Sequence, residues 1–369
     1  MNIGIDANEA NLTVRVGVGQ YAFNVIWELY RQDQKNTYHV YLKQPPLLDM
    51  PVQRENWHYH VFGPQKLWTI IGLPLRLFTQ SIKLDIFWSP SHYSPRFSPV
   101  PTIPTIHDLG YLQSLDQFNS KDIYQLVNWT KHSLYKAHHI VAVSEFTKSE
   151  INRIYNIDLK KITVVPNGVG EIPITSDKDF SNVKKKFGIA NPYFLYLGTL
   201  KPNKNIPFLI NSFSEFLKLQ SSKVHQYQLV IAGKKGWQYD SIFSQVTARE
   251  LEKSVIFTDY ISELEKWTLY KNAIASVLPS TYEGFGIPAI ESQKSKVPVI
   301  ASDIPSYREV LLDSAIIIDP TSTSSLTQAM IDIQSPPLRK KLIVLGTIQA
   351  NHYTWAASAQ KLIKTFNKV

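Results

Sequence analysis

Two carboxylates, Glu283 and Glu291, stand in an E-x7-E arrangement within STYEGFGIPAIES, residues 280–292. Glu283 follows AIASVLP, an apolar run that reads as a buried strand. Glu291 falls about one turn into a helix whose first turn should hold Pro288. Between them, Gly284 and Gly286 permit tight turning and close backbone approach. The helix start expected near Gly286 and Ile287 offers bare N–H groups to an anion such as phosphate. A carboxylate set directly beside a phosphate would repel it, so the natural partners of these acids are neutral hydroxyls. Two acids gripping two polyols joined by a diphosphate describe a nucleotide-sugar. The plainer alternative is an acid-rich helix start, with Glu283 merely near the helix dipole, or a structural network that satisfies both acids.

Other residues that follow apolar runs could share that chemistry. Lys204, with Lys201 nearby, lies in LGTLKPNKN (197–205) and suits a diphosphate. IAGKKGW (231–237) repeats the strand–Gly–Lys pattern. Lysines in turns are often only solvated. His107, followed by Asp108, ends TIPTI and could hydrogen-bond a sugar hydroxyl or a phosphate, or act as an acid or base. His92 is a weaker candidate, and His138 and His139 read as structural. Gly17–Ala22 fits G-x-G-x-x-A, but its glycines lie well past Asp6, the end of the first strand. The acid expected after the next strand is also missing from YHVYL. A glycine-rich approach of Gly17 or Gly19 to a phosphate is a better reading than a dinucleotide fingerprint. The only D-x-D, Asp177-Lys178-Asp179, sits in a polar segment and reads as a solvated turn, so no metal site is expected.

These residues need elements that bring strand ends together. Short apolar runs alternate with helical patterns: NIGID, YHVYL, HYHVF, LDIFW, TIPTI, HIVAVS and ITVVP, then YFLYLG, YQLVIAG, SVIFT, ASVLP, PVIAS and AIIID. Continuous apolar strands separated by helices indicate parallel sheets covered on both faces. The polar segment 167–182 divides the two sets. The expectation is two doubly wound, Rossmann-like α/β domains, 1–170 and 171–353, facing across a cleft. The final helix, 354–369, is a candidate to pack back on the first domain. Ligands in such sheets bind outside the carboxyl ends of the strands.

The chain has 369 residues, 44% hydrophobic and 19% charged, enough for two cores. It holds no cysteine, which removes disulfides, zinc–thiolate sites and thiol nucleophiles. The N-terminus lacks a signal-peptide pattern, and no apolar run approaches the ~20 residues of a membrane span. A cytoplasmic location is expected. The net charge of +9 fits phosphorylated ligands or an anionic membrane surface. No basic stripe interleaved with aromatics appears, so nucleic acid is not an expected partner. LWTIIGLPLRLF (67–78), interrupted by Gly72, Pro74 and Arg76, is either a core helix or a segment docking on the inner face of a membrane.

Taken in order, these motifs resemble the retaining glycosyltransferases of family 4, which adopt the GT-B fold. PSTYEGFGIPAIES resembles their E-x7-E segment, and the likeness runs through GIDANEANLTVRVGVGQYAFNV, TIHDL, IVAVSEFTKSEI and ITVVPNGV. It continues through FLYLGTLKPNKN, LVIAGKKGW, VIFTDYIS, VPVIASDIPSYREV, AIIIDP and YTW. The resemblance implies that Glu283 binds the donor hexose, Glu291 the ribose and Lys204 the phosphates. It places Gly284, Phe285, Gly286 and Ile287 against the sugar and diphosphate, and Tyr260 and Ile261 at the nucleobase through backbone groups. It sets His107 near the donor sugar and Gly17 or Gly19 near the phosphate and acceptor. His107, Glu283 and Lys204 are the catalytic candidates, and Thr199 joins the donor-binding set. Thr199 and Asn203 stand where many members carry an arginine, and Asp259 where glycine is common. The implied reaction is metal-independent hexosyl transfer from a GDP- or UDP-sugar, needing no cofactor. The acceptor would be lipid-linked or a polysaccharide, with mannose favoured. The alternative is a non-catalytic subunit of the same fold that binds a nucleotide-sugar or a partner glycosyltransferase.

Overall fold

The computed structural model of the chain describes residues 1–113, 123–220, 226–236 and 240–368. Trp237 of the IAGKKGW stretch and the terminal Val369 lie outside them. Two compact units are present: Met1–Gly170 together with Tyr353–Val369, and Glu171–His352.

The first unit is built on seven strands: β1 (Asn2–Asp6), β2 (Thr37–Leu42), β3 (Trp57–Val61), β4 (Ile86–Ser89), β5 (Thr102–Ile106), β6 (Ile140–Ala142) and β7 (Ile162–Val164). Their spatial order is β3-β2-β1-β4-β5-β6-β7. The second unit holds β8 (Tyr193–Leu197), β9 (Gln228–Ala232), β10 (Val255–Asp259), β11 (Ala275–Leu278), β12 (Val299–Ser302) and β13 (Ile316–Ile318). These run in the order β10-β9-β8-β11-β12-β13. Every named pairing is parallel. Parallel strands bury both faces, which is why β1, β5, β9 and β11 read as apolar runs without alternation. In each sheet the order reverses once, between β1 and β4 and between β8 and β11. Loops leaving the carboxyl ends diverge there and open a crevice.

Aromatic side chains seal the layers. In the second unit Phe194 of β8 meets Phe216 of the helix Ile206–Leu219 edge-on, with centroids 5.4 Å apart. In the first unit Tyr21, Trp88, Trp355 and Phe366 pack together. The ring centroids are 6.4 Å apart for Tyr21–Trp88, 6.0 Å for Tyr21–Trp355 and 6.0 Å for Trp88–Phe366. The last two of these rings begin and end the helix Trp355–Phe366, whose Ser358 hydroxyl also donates to the Pro166 carbonyl at 2.5 Å.

Two local expectations change. The polar stretch 167–182 is not loop throughout, since a helix, Asp177–Phe187, starts inside it. Asp177 and Asp179 occupy its first turn, and Asp179 completes a capping box with Ser176. The D-x-D pair is therefore a helix start rather than a solvated turn. Residues 67–78 are not a fully buried core helix. They form a π-helical turn, Trp68–Gly72, continuing into the helix Leu73–Thr79. One side buries Trp68, Leu73 and Leu77, while Leu67, Ile71, Leu75 and Phe78 remain exposed.

β2 and the edge strand β3 set three imidazoles on one face. His39 lies opposite His58, and Tyr41 opposite His60. The His39 ring stacks on both partners at 5.3 Å, and its Nδ1 is 3.1 Å from His60 Nε2. Burial, then His60 and His58, press the His39 pKa from its ordinary 6.5 to about 4. Burial also lowers His60. Groups held neutral in this way contribute stability that is complete above the unfolded value and is lost as pH falls through the window toward the folded one. The melting temperature should therefore drop as pH goes from 6.5 to about 4, with proton uptake on unfolding, and His39→Phe should flatten that limb. A wild-type melting temperature constant over this range, followed by calorimetry, would contradict the assignment.

Candidate functional site

The E-x7-E acids are positioned by strand–turn–helix geometry. β11 ends at Leu278, the chain turns through Ser280–Phe285, and the helix Ile287–Lys294 begins with Pro288 in its first turn. Gly286 caps that helix at φ 97°, in the left-handed region. A Cβ there would also lie 2.4 Å from Cε1 of Tyr307, so this turn accepts only glycine. Gly284 and Phe285 are buried in the same turn.

Glu283 sits at the switch point, beside the loop that leaves β8. Its Oε1 accepts a hydrogen bond from Ser280 Oγ at 2.7 Å and forms an ion pair with Lys204 Nζ. The two loops are stitched together one residue earlier. The Thr281 N–H donates to the Asn203 carbonyl at 2.9 Å, and Asn203 Nδ2 donates to the Tyr282 carbonyl at 3.1 Å. Asn203 turns inward and clamps the acidic loop. Two buried tyrosines, Tyr196 and Tyr307, complete the surroundings of Glu283. Burial, and then the Glu283 charge, hold both phenols well above their ordinary pKa. Thr199 directly follows Gly198 at the end of β8, and its carbonyl accepts from the Tyr196 hydroxyl at 3.4 Å.

Glu291 is held by a different set. Its Oε1 lies 2.8 Å from Lys266 Nζ, and its Oε2 accepts from the Tyr270 hydroxyl at 3.2 Å. Both partners project from the helix Glu263–Asn272, which starts just after Tyr260 and Ile261. Lys266 also pairs with Glu263 at 2.9 Å and lies 4.6 Å from the Trp267 ring centroid. Burial disfavours its charge, but Glu291 and Glu263 outweigh burial and raise its pKa. Ile261 is buried, so it offers its backbone, whereas Tyr260 is exposed with Lys234 Nζ 4.8 Å from its ring centroid. Asp259 keeps φ 58° where a glycine would be unstrained.

Both acids thus have lysine partners, where the sequence suggested neutral hydroxyls. A carboxylate oxygen that accepts one bond retains capacity for another, so each acid can still receive a hydroxyl. The lysines neutralise and orient them. Lys204 was identifiable beforehand because it follows a strand. Lys266, Tyr270, Ser280 and Tyr307 carry no such signal, since each lies within a helix or turn whose pattern is ordinary.

The first unit gathers a second group. Gly17, at φ 47°, caps the helix Val18–Gln32, and Gly19 is buried in its first turn. Tyr21 of that turn meets the His107 ring edge-on at 4.8 Å. His107 Nε2 is 2.9 Å from the Pro90 carbonyl. A carbonyl only accepts, so Nε2 carries the proton and Nδ1 is left as an acceptor. The His107 N–H donates to His92 Nε2 at 3.0 Å, which fixes the opposite tautomer on His92. Burial, and then His92, press the His107 pKa to about 4. At neutral pH His107 is therefore an uncharged acceptor suited to a hydroxyl. It is neither a cation for phosphate nor an acid.

Removing Glu291 should act on the stability of the fold. Glu291→Ala strips Lys266 of its closer carboxylate in a buried place, which should cost up to about 3 kcal/mol. Glu291→Gln, which keeps the shape, should cost less. Urea denaturation of both variants checks this, and equal stability of Glu291→Ala and the wild type would contradict it.

Two family models match the chain: Glycosyltransferase Family 4 over residues 16–170 and Glycosyl transferases group 1 over residues 177–344. O-antigen chain mannosyltransferase B of Escherichia coli is 27% identical over 285 residues, 76% of this chain and 74% of that protein. O-antigen chain mannosyltransferase RfbU of Salmonella typhimurium is 34% identical over 233 residues, 63% of this chain and 61% of that protein, less than two thirds of its length. The fold is shared with Anabaena HepE solved with UDP and glucose. The TM-score is 0.76 at 16% identity, over 100% of this chain and 99% of that one. It is shared equally with sucrose-phosphate synthase of Thermosynechococcus elongatus, with a TM-score of 0.76 at 16% identity over 100% and 98% of the two chains. Paired Rossmann-like units, acids at the β11 switch point and two consecutive family matches lead to one conclusion: the chain belongs to the group 1 glycosyltransferases of the GT-B fold.

Proposed function

We propose that the chain is a retaining hexosyltransferase. It moves a hexose, mannose before others, from a nucleoside-diphosphate sugar to a hydroxyl of a lipid-linked or polysaccharide acceptor in cell-surface glycan synthesis. The observation that carries this reading is the row of Lys204, Glu283, the Gly286 helix start and Glu291 along one edge of the second unit. The O-antigen mannosyltransferases among its relatives support the choice of mannose and of a glycan acceptor.

In this reading Glu283 accepts hydrogen bonds from the hexose, and Glu291 from the ribose. Lys204 and the N–H groups beyond Gly286 receive the diphosphate. The bond from the anomeric carbon to the phosphate oxygen breaks, and a bond to the acceptor oxygen forms on the same face. Negative charge grows on the leaving diphosphate, where Lys204 and the helix start stabilise it, and preorganised charge of this kind is usually the largest catalytic term. The acceptor proton passes to the departing phosphate oxygen, so no protein nucleophile and no metal ion is invoked. His107 Nδ1, neutral at working pH, accepts from a sugar hydroxyl. The acceptor is assigned to the first unit and the donor to the second.

Docking on an anionic membrane surface belongs to the same reading. Leu67, Ile71, Leu75 and Phe78 are 54%, 47%, 60% and 61% exposed on one side of residues 67–78, with exposed Lys66 just before them, whereas Arg76 turns inward over the Phe62 ring. An exposed apolar row beside a lysine suits the boundary between acyl chains and anionic headgroups.

Two experiments test the proposal. Release of nucleoside diphosphate is followed across UDP- and GDP-sugars with polyprenyl-diphosphate-linked saccharides as acceptors. Glu283→Ala and Lys204→Ala should each lower transfer by about 100-fold or more, and near-normal rates in both would defeat the site. Co-sedimentation is measured with phosphatidylglycerol-containing vesicles. Binding should be lost in a Leu75→Glu/Phe78→Glu double variant and be absent with pure phosphatidylcholine, and equal binding by the variant would remove the docking surface.

A further inference from the structure

Lys204 and Glu283 satisfy each other directly, and that contact has a consequence for which nucleotides the site retains. Among the described residues Glu283 is the only carboxylate paired with Lys204. Lys266 differs, since it keeps Glu263 even when Glu291 turns to another partner. Without Lys204, Glu283 keeps uncharged donors, Ser280 Oγ at 2.7 Å and the nearby Tyr307 hydroxyl, but no cation, and its side chain is only 16% exposed to water. A part-buried carboxylate that loses its cation and gains no donor is strongly disfavoured.

We infer that Glu283 makes the site sense whether the hexose is attached to the nucleotide, through an exchange of partners at the Lys204–Glu283 ion pair. The inference rests on the donor-site reading above. A nucleoside-diphosphate sugar offers both halves of the exchange. Its phosphates take Lys204, and its hexose hydroxyls donate to Glu283 in place of the ammonium. A nucleoside diphosphate without sugar offers only the first half. It competes with Glu283 for one lysine and brings its own negative charge toward a carboxylate with no new donor. The sugar-bearing donor is thus favoured over the free diphosphate by more than its sugar contacts alone provide. Once the hexose has moved to the acceptor, Lys204 is drawn back to Glu283 and the spent nucleotide is loosened. Glu283 therefore determines specificity between donor and product. Ser280 is a positioning residue that sets how much the uncompensated carboxylate costs.

The test is a matrix of dissociation constants by titration calorimetry on the full chain. UDP, GDP, UDP-glucose and GDP-mannose are titrated into the wild type, Glu283→Gln and Ser280→Ala. Glu283→Gln removes the charge but keeps the shape. It should tighten the free nucleoside diphosphate by roughly tenfold while weakening the matching nucleotide-sugar. Ser280→Ala should do the reverse for the free diphosphate, weakening it severalfold with little change for the nucleotide-sugar. Such a crossing of affinities is not produced by a general loss of structure, and the melting temperature of each variant is recorded alongside. If Glu283→Gln weakens both ligands by the same factor, or leaves the free diphosphate unchanged, the exchange is overturned while the donor site stands. If the wild type binds none of the four nucleotides, the site reading and the inference fall together.

Discussion

The meeting of two loops at the carboxyl edge of the second sheet is the constraint on which the candidate site depends. β8 and β11 are neighbours in space but distant in sequence, and the loops leaving them would diverge if nothing joined them. Asn203 holds the backbone of Thr281 and Tyr282, and Lys204 then meets Glu283. The parallel sheet supplies the adjacency and the clamp supplies the register. Without the clamp, an acid and a lysine on two loops would pay side-chain entropy for a weak surface pair. With it, they are brought together by backbone hydrogen bonds already made.

The two acids of the E-x7-E segment share a helix start but not a situation. Glu283 lies in the turn, where Gly286 and the Tyr307 ring dictate the backbone, and its one cation comes from a neighbouring loop. Glu291 lies within the helix and belongs to a network of Lys266, Glu263 and Tyr270 that spans two packed helices. Lys266 and Glu291 are largely buried at the centre of this network, and a network is rigid where each charge has more than one partner. A single pair is easier to reorganise. Each acid has one lysine and one hydroxyl, but Lys266 keeps a second carboxylate in Glu263 while Lys204, among the described residues, pairs with Glu283 alone, and that separates an acid suited to holding a ligand in a fixed place from one suited to changing partners.

The first unit uses histidine in the opposite electrostatic sense. His107 is kept neutral by burial and then by His92, and His92 by burial against the opposing pull of Asp108, with tautomers set by the Pro90 carbonyl and the His107 backbone N–H. His39 and His60 at the sheet edge are likewise pressed toward the neutral form by burial. In a chain of net charge +9, imidazoles that stay uncharged add polar contacts without adding to the positive surplus.

By itself the sequence determined the strand set, the two-unit division near residue 170 and the helix start at Gly286. It also singled out Glu283, Glu291, Lys204 and His107 as residues that follow strands or open helices. These features are local: apolar runs, a proline in a first turn and a glycine where no side chain fits all act over a few residues. The same locality explains the misreadings. A polar stretch with Asp177 and Asp179 looks like a linker until Ser176 caps a helix there. Residues 67–78 read equally as a core helix or a docking segment, and only the tertiary structure divides them between a buried and an exposed side. Only the tertiary structure decided that each acid is partnered by a lysine, that Lys266 and Tyr270 reach Glu291 from another helix, and that His107 is an uncharged acceptor. Those outcomes depend on contacts between distant segments and on burial. Charge state and partner choice respond to what the fold places within a few ångströms, which residue type and spacing along the chain do not encode.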